Sequence, residues 1–195
     1  MDRKERESIM LYNRAVYDYK NKNYKDAAEK FKKVLKLNPK DAQSKIALAS
    51  CFNNYAVELY KEGKIKESLR FFKNALKIES TNKTYQDNLN ICLQRIKELE
   101  FANLTTQAYN LFQKKKYELA LKNLLKASQI QPTNLEVKKA ISTCYNALGI
   151  KEYNKKRLLK ALEYFELAKE NYPQNIGYEH NIKTIQNLLN SKAIS

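Results

Sequence analysis

The residues that could do chemistry are few and scattered. His180 is the single histidine, and the cysteines are Cys51, Cys92 and Cys144. A metal centre, or a nucleophile with its base, needs several such groups at short and specific spacings. No nucleophile or metal-ligand spacing surrounds His180, which reads as a surface histidine. There is no glycine-rich phosphate loop, no HExxH and no paired-cysteine motif. The carboxylates stand among lysines at helical spacings, where exposed ion pairs form. The expected function is therefore non-enzymatic, with no cofactor and no metal. Three cysteines are an odd number, widely spaced and set in helical patterns. They read as small buried hydrophobes in a reducing compartment, so a cytoplasmic location is expected unless the chain is a piece of a longer exported protein.

Composition points to helices. Only 3 Gly and 3 Pro occur in 195 residues. A sheet of short hairpins would need more of both. Hydrophobic residues at 43% are enough for a core, while 30% charged residues and a mean hydropathy of -0.71 give a wet surface. The N-terminal "MDRKERESIMLYNR" has no apolar run, no stretch approaches a membrane span, and neither end carries a lipidation signal. Membrane insertion is not expected. The net charge of +16 is carried by 31 Lys against 6 Arg, with 21 Asn. Lysine and asparagine enriched together are what an AT-rich genome produces. Arginine, the better bidentate phosphate ligand, is scarce. Nucleic acid is thus a less favoured partner than protein.

One stretch shows how the helices are built. In "NYKDAAEKFKKVLKLNP" (23–39), Ala27, Phe31, Val34 and Leu35 fall at i, i+4, i+7 and i+8, one face of a helix that Pro39 ends. The pattern recurs in "KIKESLRFFKNALKIES" (64–80), "KYELALKNLLKASQIQP" (116–132) and "RLLKALEYFELAKENYP" (157–173). The small residue is Ala27, Ser68, Ala120 and Ala161, and the large one four later is Phe31, Phe72, Leu124 and Phe165. Each segment follows a second helical pattern: Leu11 with Ala15 and Tyr19, Phe52 with Ala56 and Tyr60, Leu104 with Ala108 and Phe112, Tyr145 with Gly149 and Tyr153. Short polar turns such as "NKN" (21–23), "KEGK" (61–64) and "QKKK" (113–116) join the two.

These residues resemble the tetratricopeptide repeat (TPR) family, whose pattern is a large residue, Leu-Gly, an aromatic, then Ala, Phe, Ala and a closing Pro. Leu148 and Gly149 supply the Leu-Gly pair, and Ala15, Ala56 and Ala108 stand where that Gly would be. The resemblance covers about residues 8 to 190. It implies an all-α fold: an α-solenoid, a right-handed superhelix of four TPR-like helix-turn-helix repeats with a concave groove. Spacing departs from the usual ~34 residues. Ala27 to Ser68 is 41, Ser68 to Ala120 is 52, and Ala120 to Ala161 is 41 again. The unit is a pair of repeats with period 93, as Cys51 with Cys144 and Pro39 with Pro132 also show. We expect one array over 1–195, an internal duplication of 8–100 and 101–190, and lengthened first helices starting near 41, 83 and 134. "TNLE" (133–136) reads as a capping box, and 175–190 as a final capping helix.

In this family the first helix of each pair lines the groove that holds peptides or partner helices. The matching slots are Tyr12, Asn13, Val16 and Lys20, then Asn53, Asn54, Val57 and Lys61. Next come Thr105, Thr106 and Tyr109, and last Asn146 and Ile150. Asparagine can pair with any peptide backbone, because it both donates and accepts. The family's chaperone-carboxylate clamp is not expected. Only Asn54 matches it, and Tyr12, Val16, Asn103 and Thr106 fill the other slots without a basic group. The expected role is an adaptor for a protein or peptide. Electrostatic binding of nucleic acid or an acidic surface by second-helix lysines is the alternative, and self-association through the solenoid ends is a third.

Overall fold

The structure is a computed structural model that describes residues 2–193. The described residues form α1 (Arg3–Lys20), α2 (Tyr24–Leu37), α3 (Ala42–Lys61), α4 (Ile65–Ile78), α5 (Lys83–Gln113), α6 (Tyr117–Ile130), α7 (Leu135–Asn154), α8 (Leu158–Asn171) and α9 (Ile176–Ala193), with no strand. The fold is all-α. Helices α2, α4, α6 and α8 each have 14 residues. The first helices are longer, with 20 residues in α3 and in α7. Residues 83–113 make one continuous helix of 31 residues. The bounds of α2, α3 and α4 recur 93 residues later in α6, α7 and α8. The chain divides into two compact units, one ending at Ile96 and the other starting at Lys97.

Each hairpin closes over a small residue. Ala15 and Phe31 share one core cluster, Ala56 and Phe72 another, and Ala108 and Leu124 a third. All are buried. In the fourth pair a Cβ placed on Gly149 would lie 2.6 Å from Cε1 of Phe165. Helices cross closely only where side chains leave room, and the ring fills what the missing side chain vacates.

The turn inside each hairpin is one motif used four times. The N–H of Lys22, Gly63, Lys115 and Lys156 donates to the carbonyl three residues back, at 2.8–3.0 Å. The next N–H reaches five back: Asn23 to Asp18, Lys64 to Leu59, Lys116 to Leu111 and Arg157 to Glu152, again at 2.8–3.0 Å. This is the Schellman closure, with its left-handed residue just beyond the helix. Three of those left-handed positions hold lysine (φ 63, 56 and 60°) and one holds Gly63 (φ 77°). The second helices start directly from this turn, without a side-chain cap.

First helices start differently. Asp2 accepts from the Glu5 N–H at 2.7 Å, and Asp41 from Ser44 at 3.1 Å. At α7 the cap is Asn134, accepting from Val137 at 3.1 Å. The Thr133–Glu136 capping box read from the sequence is therefore displaced by one residue. The asparagine side chain reaches the free N–H with β-region backbone (φ -69°, ψ 110°). Upstream, Asn38, Gln131 and Tyr172 leave the helical region ahead of a proline, a conformation proline favours but does not alone impose. Glu79 does the same before Ser80.

Two stability outcomes follow. Lys115→Gly relieves a left-handed lysine, and a net gain of about 0.5 kcal/mol should raise the melting temperature by one or two degrees. Gly149→Ala should lower it, since ~1–3 kcal/mol of overpacking against Phe165 exceeds the ~1 kcal/mol gain in helix propensity. Adding Phe165→Leu, the Ala108–Leu124 combination, should recover part of that loss. Differential scanning calorimetry reads both.

Candidate peptide-binding face

Within the unit ending at Ile96, hydrogen bonds tie the first helices side by side. The Tyr19 hydroxyl on α1 lies 3.1 Å from Ser50 Oγ, and Asn54 Nδ2 donates to Tyr19 Oη at 2.8 Å. Asn53 Nδ2 donates to Asn54 Oδ1, and Asn53 Oδ1 accepts from Asn88 on α5 at 2.9 Å. The other unit repeats the last step, with Asn146 accepting from Asn181 of α9 at 2.9 Å. Asn53 is only 6% exposed. Three of the asparagines expected to grip a peptide, Asn53, Asn54 and Asn146, thus hold neighbouring helices to each other. Asn53 is a correction to the sequence reading: a buried amide costs stability unless paired, and its pairing is internal.

The remaining expected residues divide by face. Tyr12 and Val16 pack half-buried on the core of Ala15, Phe31 and Cys51. Asn13, one residue on, lines a different depression with Arg6, Met10 and Tyr17. Tyr12 and Asn13 are not brought to one surface. Val57 packs on the Ala56–Phe72 cluster. Lys20 and Lys61 are exposed near the ends of α1 and α3. In the second unit Thr106, Tyr109 and Ile150 are exposed, with Tyr109 at 65%.

Tyr109 stands on the edge of an apolar groove of about 520 Å³ between the second half of α5 and α7. Phe101, Thr105, Ala108 and Phe112 come from α5, Leu124 from α6, and Val137, Ala140, Thr143 and Cys144 from α7. The sequence reading placed Thr105 and Tyr109 on this face and missed Phe101, Phe112 and Ala140. The signal the sequence held is the exchange, at period 93, of Tyr12 and Phe31 for Thr105 and Leu124.

Burial pushes the Cys51 thiol up to about 12 and Cys144 to about 11, so both stay protonated. His180 is exposed on α9. Among the described residues no group of His, Cys, Asp and Glu could hold a metal ion. No helix among them is long and apolar enough to cross a membrane. Glu152, buried at the end of α7, is held below the usual carboxylate range by its hydrogen bond to Lys155 and then by Arg157. Glu118 is held low by Lys151, and Glu179 by Lys183 and Lys169.

Residues 10–41, spanning most of α1 and all of α2, match the family model of the tetratricopeptide repeat. One tetratricopeptide repeat is thus present, over α1 and α2. Among solved structures the chain is similar to pilF of Pseudomonas aeruginosa, at 19% identity over 97% of this chain and 72% of that one, with a TM-score of 0.32. It is also similar to the TPR2AB domain of yeast Sti1, solved with pHSP90, at 13% identity over 95% of this chain and 85% of that one, TM-score 0.32. No curated protein sequence matches the chain.

The amide pairs and ion pairs of the two units each give a measurable outcome. Asn53→Ala and Asn146→Ala should each cost about 1–2 kcal/mol in urea unfolding, because Asn88 and Asn181 lose their acceptors. The depressed carboxyls bind fewer protons folded than unfolded. The stability they contribute is complete above the usual carboxylate range and is lost as pH falls through it. A melting temperature that is flat from neutral pH to roughly 5 and falls below that should result.

Proposed function

We propose that the protein is an adaptor that holds a peptide or partner segment against its first helices. The observation that carries this reading is the apolar groove between α5 and α7, bordered by the exposed Tyr109 ring. A concave, mostly apolar site with a few polar groups is the usual form of a binding pocket. Tyrosine suits an edge that is apolar on one side and wet on the other. The one thiol in the groove, Cys144, is kept protonated by burial, no metal-binding group occurs among the described residues, and the reading assigns the groove binding without catalysis.

The lysines support a second reading. Helix α2 carries Lys25, Lys30, Lys32, Lys33 and Lys36. Lys25, Lys32 and Arg70 line a depression of about 320 Å³ with Tyr24, Tyr55 and Phe71. A basic, aromatic surface of this kind would take an acidic protein or a phosphate backbone, and its binding would fall steeply with salt. Lys32 is already paired with Glu29 at 2.6 Å, which leaves the groove as the stronger site.

Partner capture at low and at moderate salt separates the two. A protein retained at moderate salt and lost from the Tyr109→Ala/Ile150→Asp double variant is the expected result. Nucleic acid recovered equally by both proteins and washed off by salt would transfer the function to the lysines. A concentration-dependent size in ultracentrifugation would point to self-association instead, through Ile9, Met10 and Tyr17 exposed on α1.

A further inference from the structure

The two units match position for position at a spacing of 93, so a difference between them isolates what one unit has and the other lacks. On α1 the Tyr12 ring stands edge-on to Phe31, with centroids 5.6 Å apart, over the cluster that holds Ala15 and Cys51. The residues 93 further on are Thr105 and Leu124. Two rings are absent, and the groove of about 520 Å³ opens there, lined by Thr105 and Leu124 themselves. Its floor includes Ala108 and Cys144, the counterparts of Ala15 and Cys51. In the first unit the depression beside Tyr12 lies instead among Asp2, Lys4, Glu5 and Ser8, and neither Ala15 nor Cys51 lines it.

We infer that this groove is a socket for an aromatic side chain of a partner peptide, seated where Tyr12 seats its own ring in the other unit. The inference rests on the adaptor reading and names what that site recognises. The walls suit a ring. Phe101, Tyr109 and Phe112 offer aromatic edges and faces, and aromatic pairs prefer such offset and edge-on contacts. The lining also argues against a charged occupant. No lysine or arginine lines it, and its single charged residue, Glu136, pairs with Lys139 at 3.0 Å. Thr105 and Thr143 donate their hydroxyl protons to backbone carbonyls of their own helices. An ionised side chain would lose hydration there and meet no opposite charge free to pair with it.

The test uses p-cresol, the tyrosine side chain alone, titrated into the whole protein and followed by NMR. Saturable shifts at Val137, Ala140 and Phe112, with a dissociation constant on the order of 1 mM, are expected. Copying the other unit's residues, Thr105→Tyr with Leu124→Phe, should fill the socket and weaken p-cresol binding at least tenfold. No saturable shift, or the same shifts in the filled variant, overturns the inference. Should that variant not fold, the wild-type map decides: shifts confined to the groove support the socket, and shifts elsewhere overturn it. A captured partner separates this inference from the adaptor reading. Loss from the filled variant supports both. Retention there with loss from Tyr109→Ala/Ile150→Asp ends the socket and leaves the adaptor, and retention by both variants ends both. Self-association abolished by the filling pair would make the occupant a second copy, contrary to the inference.

Discussion

Everything in each hairpin depends on one close crossing. A small residue on the first helix faces a large one on the second: Ala15 and Phe31, Ala56 and Phe72, Ala108 and Leu124, Gly149 and Phe165. Interiors are packed like crystals, so the volume removed from one helix must be supplied by the other. The crossing fixes how near the two helices lie, and the Schellman turn then closes the chain between them. Because that turn satisfies the ends of the first helix through backbone bonds, its sequence is nearly free. Lysine occupies three of the four left-handed positions for that reason, at a cost the surrounding bonds override.

With the hairpins set, the amide pairs align their first helices. Asn53 with Asn88 and Asn146 with Asn181 are each 35 residues apart and each 2.9 Å long. A half-buried amide pair holds one register, because slippage by a residue would bury unpaired donors. The face that results is set by hydrogen bonds the asparagines have already made. What remains for a partner is the space between helices and the side chains at its margin, which is why the groove, with Tyr109, is the site we propose.

The local layers of this design are legible in the sequence. Helix faces, the prolines that end them and the small residues at the crossings lie within a few turns of each other, so periodicity reports them. The extra residues in α3, α5 and α7 are also legible, since whole turns lengthen a helix without rotating its face. The cap of α7 is less so: Thr133 and Asn134 are both good caps, and which one reaches the free N–H depends on backbone angles. Asn53 shows the larger limit. Its residue type suggests a surface ligand, and only a partner 35 residues away makes it internal. The groove lies between these cases. Thr105 and Tyr109 are visible as surface positions, but the space beside them comes from rings missing at two sites 19 residues apart, and periodicity within one helix does not report a missing volume.

The three cysteines give the protein reporters of its own motion. Cys51, Cys92 and Cys144 are free and exposed by no more than 1%, and an alkylating reagent reaches such a thiol only when the surrounding structure opens. Cys51 and Cys92 lie in the unit ending at Ile96, and Cys144 in the one starting at Lys97. Labelling rates at the three positions therefore clock the opening of each unit separately, with no engineered probe. Cys144 adds something the others do not, since it floors the groove. Its labelling lifetime reads occupancy as well as breathing, and an occupant that seats there will slow that one clock while the other two keep time.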